Sequence, residues 1–156
     1  MHTLTIPEWH DLARDGAAPP MRIRIDGNSM FPLVRIHRDH VTIRPVEEAP
    51  VPGDIVLFAD PDRPRYVLHR VWAVEEDRVL TWGDNCPRPD GWIPREAIWG
   101  QAVLIERGRR VIRPDRKAGL RLARIWHRIG GVWRFAGRCR RSAAYRIRRL
   151  FSPAKR

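Results

Sequence analysis

Along the first 115 residues the apolar positions recur with a period of two. Met21-Arg22-Ile23-Arg24-Ile25 alternates strictly, and short runs rich in β-branched and aromatic residues follow at Val41–Arg44, Ile55–Phe58, Tyr66–Val74, Val79–Trp82 and Ile98–Glu106. Alternation of this kind predicts strands, because successive side chains leave a strand on opposite faces. Pro52-Gly53-Asp54, Pro61-Asp62 and Asp90-Gly91 punctuate the runs and read as turns. Only Pro7–Arg14 reads as helix in this part, and one short helix cannot build a helix-turn-helix. The expectation is a mainly β body over residues 21–115, preceded by an N-terminal extension at 1–20.

After Pro114 the period lengthens. Leu122, Ile125, Trp126, Ile129, Trp133 and Ala136 recur at three- and four-residue spacings with arginines between them, which predicts an amphipathic helix strained near Gly130-Gly131. A second short helix is expected from Ser142 to Phe151. Charge divides at the same place. All 18 acidic residues lie at or before Asp115, where they face 16 basic ones, whereas residues 116–156 hold 14 basic residues and no acid. The chain therefore reads as a near-neutral body with a basic amphipathic helical C-terminal tail at 116–156.

The longest apolar run is Ile55 to Ala59, and Glu8, Asp11, Arg14 and Asp15 interrupt residues 1–20, so neither a membrane span nor a secretory signal is readable. Two distant cysteines, Cys86 and Cys139, make no disulfide framework and no metal site, and no cofactor motif occurs. These features point to a reducing, cytoplasmic compartment.

Candidate chemistry begins at Asp26-Gly27-Asn28-Ser29-Met30-Phe31-Pro32, which holds the only serine before residue 142. Ser29 follows a strand through Gly27-Asn28, so its hydroxyl is expected on a tight bend. A nucleophile needs that exposure, and a turn serine needs nothing more. A serine hydroxyl also needs a base. The two lysines, Lys117 and Lys155, are both in the tail, which leaves histidine at positions 2, 10, 37, 40, 69 and 127. His69 lies within the strand Tyr66–Val74, beside Val67 and Val71 by alternation. That apolar face is expected to favour the neutral imidazole, which can accept a proton. The competing reading is a core histidine satisfied by a backbone carbonyl. His37 and His40 form an H-x-x-H pair in what reads as a solvated loop. A histidine base needs an acceptor on its other ring nitrogen, and Asp84 and Asp90 both follow; each is also an ordinary turn residue.

Taken together, these stretches resemble a known family. Gly27-Asn28-Ser29-Met30-Phe31-Pro32 is similar to the G-x-S-M-x-P nucleophile box of type I signal peptidases and self-cleaving repressor peptidases. Pro52–Phe58 (PGDIVLF) resembles the strand box that follows, Leu68–Val71 (LHRV) the box with the general base, and Gly83–Asn85 (GDN) the next. Bacterial signal peptidases and the repressors use a lysine base. The archaeal and endoplasmic-reticulum type uses histidine in an H-R-V context, then G-D-N and a further Asp. The order and the spacings here, 40 residues from Ser29 to His69, 15 more to Asp84 and 6 more to Asp90, match the histidine type over roughly residues 20–110.

The resemblance implies a coiled β-sheet body and a serine endopeptidase. It assigns Ser29 as nucleophile, His69 as general base and acid, and Asp90 as the orienting carboxylate, with Asp84 bracing the loop or sharing that role. Gly27 stands where many signal peptidases carry a side-chain oxyanion donor. The oxyanion would then meet the backbone N–H groups of Ser29 and Asn28. The substrate implied is a precursor or leader peptide with small residues before the cut.

For the tail, an anionic membrane surface is the expected partner, placing the protein peripherally on the inner face of the plasma membrane. Nucleic acid, acidic substrate or the body itself are the alternatives. A noncatalytic or self-cleaving regulatory protein with a nucleic-acid-binding tail is the rival to the peptidase.

Overall fold

Strict alternation becomes sheet where the sequence expects it. The computed structural model describes residues 4–60 and 65–129. Its strands are β1 (Met21–Arg24), β2 (Asp39–Arg44), β3 (Ile55–Ala59), β4 (Tyr66–Val74), β5 (Arg78–Trp82), β6 (Gly91–Pro94), β7 (Ile98–Arg107) and β8 (Arg110–Ile112). All pairings are antiparallel, and the strands form one sheet in the order β1-β2-β7-β3-β4-β5-β6, with β8 on β7. The fold is mainly β. Six of the eight strands coincide with the runs read from the sequence. β6 and β8 do not: Asp90-Gly91 reads as a turn, yet Gly91 opens β6 opposite Thr81.

Alternation divides the apolar residues between the two faces. Ile55, Leu57 and Leu68 pack with Met30, Val34, Val41, Ile43 and Ile105 on one side. Val56, Phe58, Val67 and Val71 pack with Val79, Ile93 and Ile98 on the other.

Helix α1 (Ile6–Arg14) starts at a capping box in which Thr5 and Glu8 exchange hydrogen bonds, with Pro7 near its start. Its Trp9 is fully buried in the first core, and the indole N–H donates to Pro19 O at 2.7 Å. Burying a side chain of that size stabilises by about 2–3 kcal/mol. Residues 4–20 are thus tied into the body through Trp9.

Helix α2 (residues 116–129) is likewise packed on the body. Asp115 caps it through Ala118 N–H (2.6 Å), and Arg116 Nε pairs with the buried Asp54 at 2.5 Å. Leu120 and Ala123 are buried, and His127 lies against the rings of Trp82 and Trp72 at 4.1 and 5.1 Å. Gly53, at φ 105°, passes so close to the Arg116 backbone that a Cβ there would collide with it. The expected helix at Ser142–Phe151, the strain at Gly130-Gly131, the Pro61-Asp62 turn, Trp133 and Cys139 lie outside the described residues. No helix among the described residues is long and apolar enough to cross a membrane.

Two strand edges are unpaired among the described residues and border one cleft. β1 closes one end of the sheet order and pairs only with β2. β5 pairs with β4 at Arg70–Val74 and leaves Tyr66–Leu68 bonded to β3 alone, among the described residues.

Candidate active site

The turn after β1 is fixed from three sides. Met30 and Val34 are buried in the first core, and Val34 N–H donates to Met30 O at 2.9 Å. Asp39, fully buried at the start of β2, accepts Arg35 N–H (2.9 Å) and a fork from Arg107, whose Nη2 also reaches Leu33 O at 2.7 Å. Burial pushes the Asp39 carboxyl up, but the hydrogen bonds from Arg107 and Arg35 outweigh it and hold its pKa below the ordinary value. From the β5–β6 connection, Asn85 N–H donates to Ser29 O (2.6 Å) and its side-chain amide to Asn28 O (3.1 Å). The serine is thereby held on a braced bend. Among the described residues, the N–H groups of Asn28 and Ser29 donate to no backbone carbonyl.

His69 sits mid-strand in β4, opposite Val56, and shares a face with Val67 and Val71 as alternation predicts. Its side chain is 6% exposed, and Nδ1 lies 2.6 Å from Asp90 Oδ2. The same carboxylate oxygen accepts the Thr81 hydroxyl at 3.0 Å, while Asp90 N–H donates to Thr81 O at 2.9 Å. Asp90 is therefore the carboxylate on the imidazole. Asp84 is not: both its oxygens accept from Arg70, at 2.9 and 2.8 Å, and the pair is buried. Arg70 Nη1 also donates to Gly53 O at 2.9 Å. Asp84 thus braces the loop, and the two aspartates have separate tasks.

The apolar face does not keep His69 neutral. Burial opposes the cation, but the hydrogen bond with Asp90, aided by Cys86, outweighs it and raises the pKa to about 9. The expectation from Val67 and Val71 took account of the walls and not of the carboxylate.

On the other side of the ring, Cys86 Sγ lies 3.9 Å from Nε2. A methyl group at Gly83 would fall 2.7 Å from both atoms, so the absence of a side chain there leaves the imidazole its position.

Ser29, His69, Cys86 and Asp90 line one cleft of about 570 Å³, flanked by Ile23 of β1, by Ile25 just after it and by Tyr66–Leu68 of β4. No hydrogen bond joins Ser29 Oγ to His69 among the described residues. A Cβ at Gly27 would lie 4.0 Å from Ser29 Oγ, so that position adjoins the hydroxyl without reaching it.

Sequence reasoning overlooked Asn85, Thr81 and Arg70 as supports. Asn85 and Arg70 lay within stretches already singled out, whereas a threonine in a β-strand carries no signal of its own. His37 is exposed at φ 59° beside Asp26, and no cluster of three His, Cys, Asp or Glu poised for a metal occurs among the described residues. Compared with protein-family models and with curated proteins, the chain matches none.

Proposed function

We propose that the protein is a serine endopeptidase of signal-peptidase-like fold that cleaves a precursor or leader peptide through an acyl-enzyme. The observation that carries this reading is the His69 Nδ1 to Asp90 contact at 2.6 Å in the cleft that Ser29 also lines. A carboxylate on Nδ1 fixes the tautomer whose Nε2 accepts a proton, and it stabilises the imidazolium that results.

The substrate chain lies extended between the β1 edge and Tyr66–Leu68, where unpaired strand backbone offers hydrogen bonds to a peptide. Ser29 Oγ attacks the scissile carbonyl carbon as its proton passes to His69 Nε2. The oxyanion receives the N–H groups of Ser29 and Asn28. Collapse of the tetrahedral intermediate breaks the C–N bond, and His69 returns the proton to the departing amine. Water then attacks the Ser29 ester with His69 again as base, releasing the acid and regenerating the hydroxyl.

The Cys86 Sγ to Nε2 approach of 3.9 Å favours one second reading, in which the thiol is the nucleophile of the same histidine. Ser29→Ala and Cys86→Ala separate the two. On the serine reading, Ser29→Ala abolishes precursor processing and labelling by a serine-directed phosphonate, while Cys86→Ala keeps both. Processing that survives Ser29→Ala would sink the serine mechanism.

A further inference from the structure

Helix α2 has two apolar faces, and only one is used by the body. With about 100° between successive residues, Leu122, Ile125 and Ile129 fall within about 60° of one another and nearly opposite Leu120 and Ala123. Leu120 and Ala123 are buried, whereas Leu122, Ile125 and Ile129 are 66%, 52% and 48% exposed. Lys117, Arg121, Arg124 and Arg128 are all exposed and occupy the arc between the two apolar faces. Leu122 and Ile125 also border a crevice of about 270 Å³ whose other apolar walls include Pro32, Leu33, Ile112 and Trp126. An exposed aliphatic ridge running into an apolar crevice is not the surface of a finished core.

Charge selects the occupant. The basic arc has no acid to oppose it within residues 116–156. A second copy would bring like arcs together, so it is a poor cover. Nucleic acid would meet the arginines but has no use for three aliphatic side chains on the same helix. A bilayer with anionic headgroups satisfies both faces at once.

We infer that α2 docks the protein on an anionic lipid surface, inserting Leu122, Ile125 and Ile129 while Lys117, Arg121, Arg124 and Arg128 meet headgroup phosphates. The inserted stripe is thus the exposed face of α2, nearly opposite Leu120 and Ala123, and its Leu122–Ile125 edge borders the crevice. It shares no residue with the cleft of Ser29 and His69, so docking and peptide hydrolysis are separable.

The test is sedimentation of the full chain with vesicles of equal parts phosphatidylglycerol and phosphatidylcholine, and with phosphatidylcholine alone, in about 0.15 M salt. The wild type is expected to pellet with the anionic vesicles and to remain in solution with the neutral ones. Leu122→Ser/Ile125→Ser/Ile129→Ser should weaken the partition at least about tenfold, with Val51→Ser, an exposed valine elsewhere, as the unaffected control. Arg121→Gln/Arg124→Gln/Arg128→Gln supplies an independent variant, expected to weaken binding and flatten its salt dependence. Circular dichroism of each variant verifies that it is folded. The inference is overturned if the wild type ignores anionic vesicles, if the folded serine variant binds them undiminished, or if the wild type prefers duplex DNA to them at the same salt.

Discussion

Asp90→Asn isolates the contact on which the proposed chemistry depends. The substitution keeps the shape and leaves an oxygen for the Thr81 hydroxyl, but it removes the charge 2.6 Å from His69 Nδ1. His69 titrates at about 9 in the folded protein against an ordinary 6.5. That difference is worth about 3 kcal/mol. Because the folded pKa is the higher one, the stabilisation is fully present below pH 6.5 and is lost as the pH rises through about 9. Asp90→Asn should therefore cost about 3 kcal/mol at pH 6 and little above pH 9.5, measured by urea unfolding at the two pH values. In parallel, the imidazole resonance of His69, followed by NMR, should titrate near 9 in the wild type and much lower in the variant, where burial opposes the cation with less to offset it. Activity carries the same signature. At pH 7 about one molecule in a hundred holds the neutral base, so kcat/KM of the wild type should climb nearly tenfold per pH unit towards pH 9. In Asp90→Asn that limb should shift down and the plateau should fall by about 100-fold or more. A wild-type His69 that titrates at or below 6.5, or one whose midpoint ignores the substitution, would refute the reasoning.

The other two predictions probe the supports of the site. Asp84→Asn leaves the buried Arg70 without its charge partner, so unfolding should become easier by about 3 kcal/mol in urea, with His69 still titrating near 9. Gly83→Ala puts a methyl group 2.7 Å from both His69 Nε2 and Cys86 Sγ. Its cost in urea unfolding should be about 1–3 kcal/mol, and kcat/KM should fall at least tenfold because the imidazole must shift.

What could be read from the sequence follows from range. Strands such as Tyr66–Val74 announce themselves through period and β-branching, and the placement of His69 with Val67 and Val71 is a property of alternation alone. β6 escaped because Gly91 and Pro94 bound four residues that look like turn, and only pairing with β5 makes them a strand. Whether Asp84 or Asp90 reaches His69 depends on how the connection between β5 and β6 folds back, a contact across 21 residues that no local pattern encodes. The protonation of His69 was missed for the same reason. The division of α2 into a body face and an outward face was also out of reach, since Leu120 and Leu122 differ only in which way the helix is turned against Arg70 and Trp82.

His69 and Arg70 are chain neighbours that leave β4 on opposite sides. One carries the imidazole of the cleft, and the other holds Asp84 and Gly53 O under α2, with Gly119 so close that a Cβ there would lie 2.6 Å from Nη1. A single-residue insertion early in β4 would put Leu68 beside Asp90 and the imidazole beneath the helix, and a deletion would put the guanidinium beside Asp90 and Val71 beneath the helix. Both sides would fail together. Drift in the length of this strand is therefore forbidden twice over.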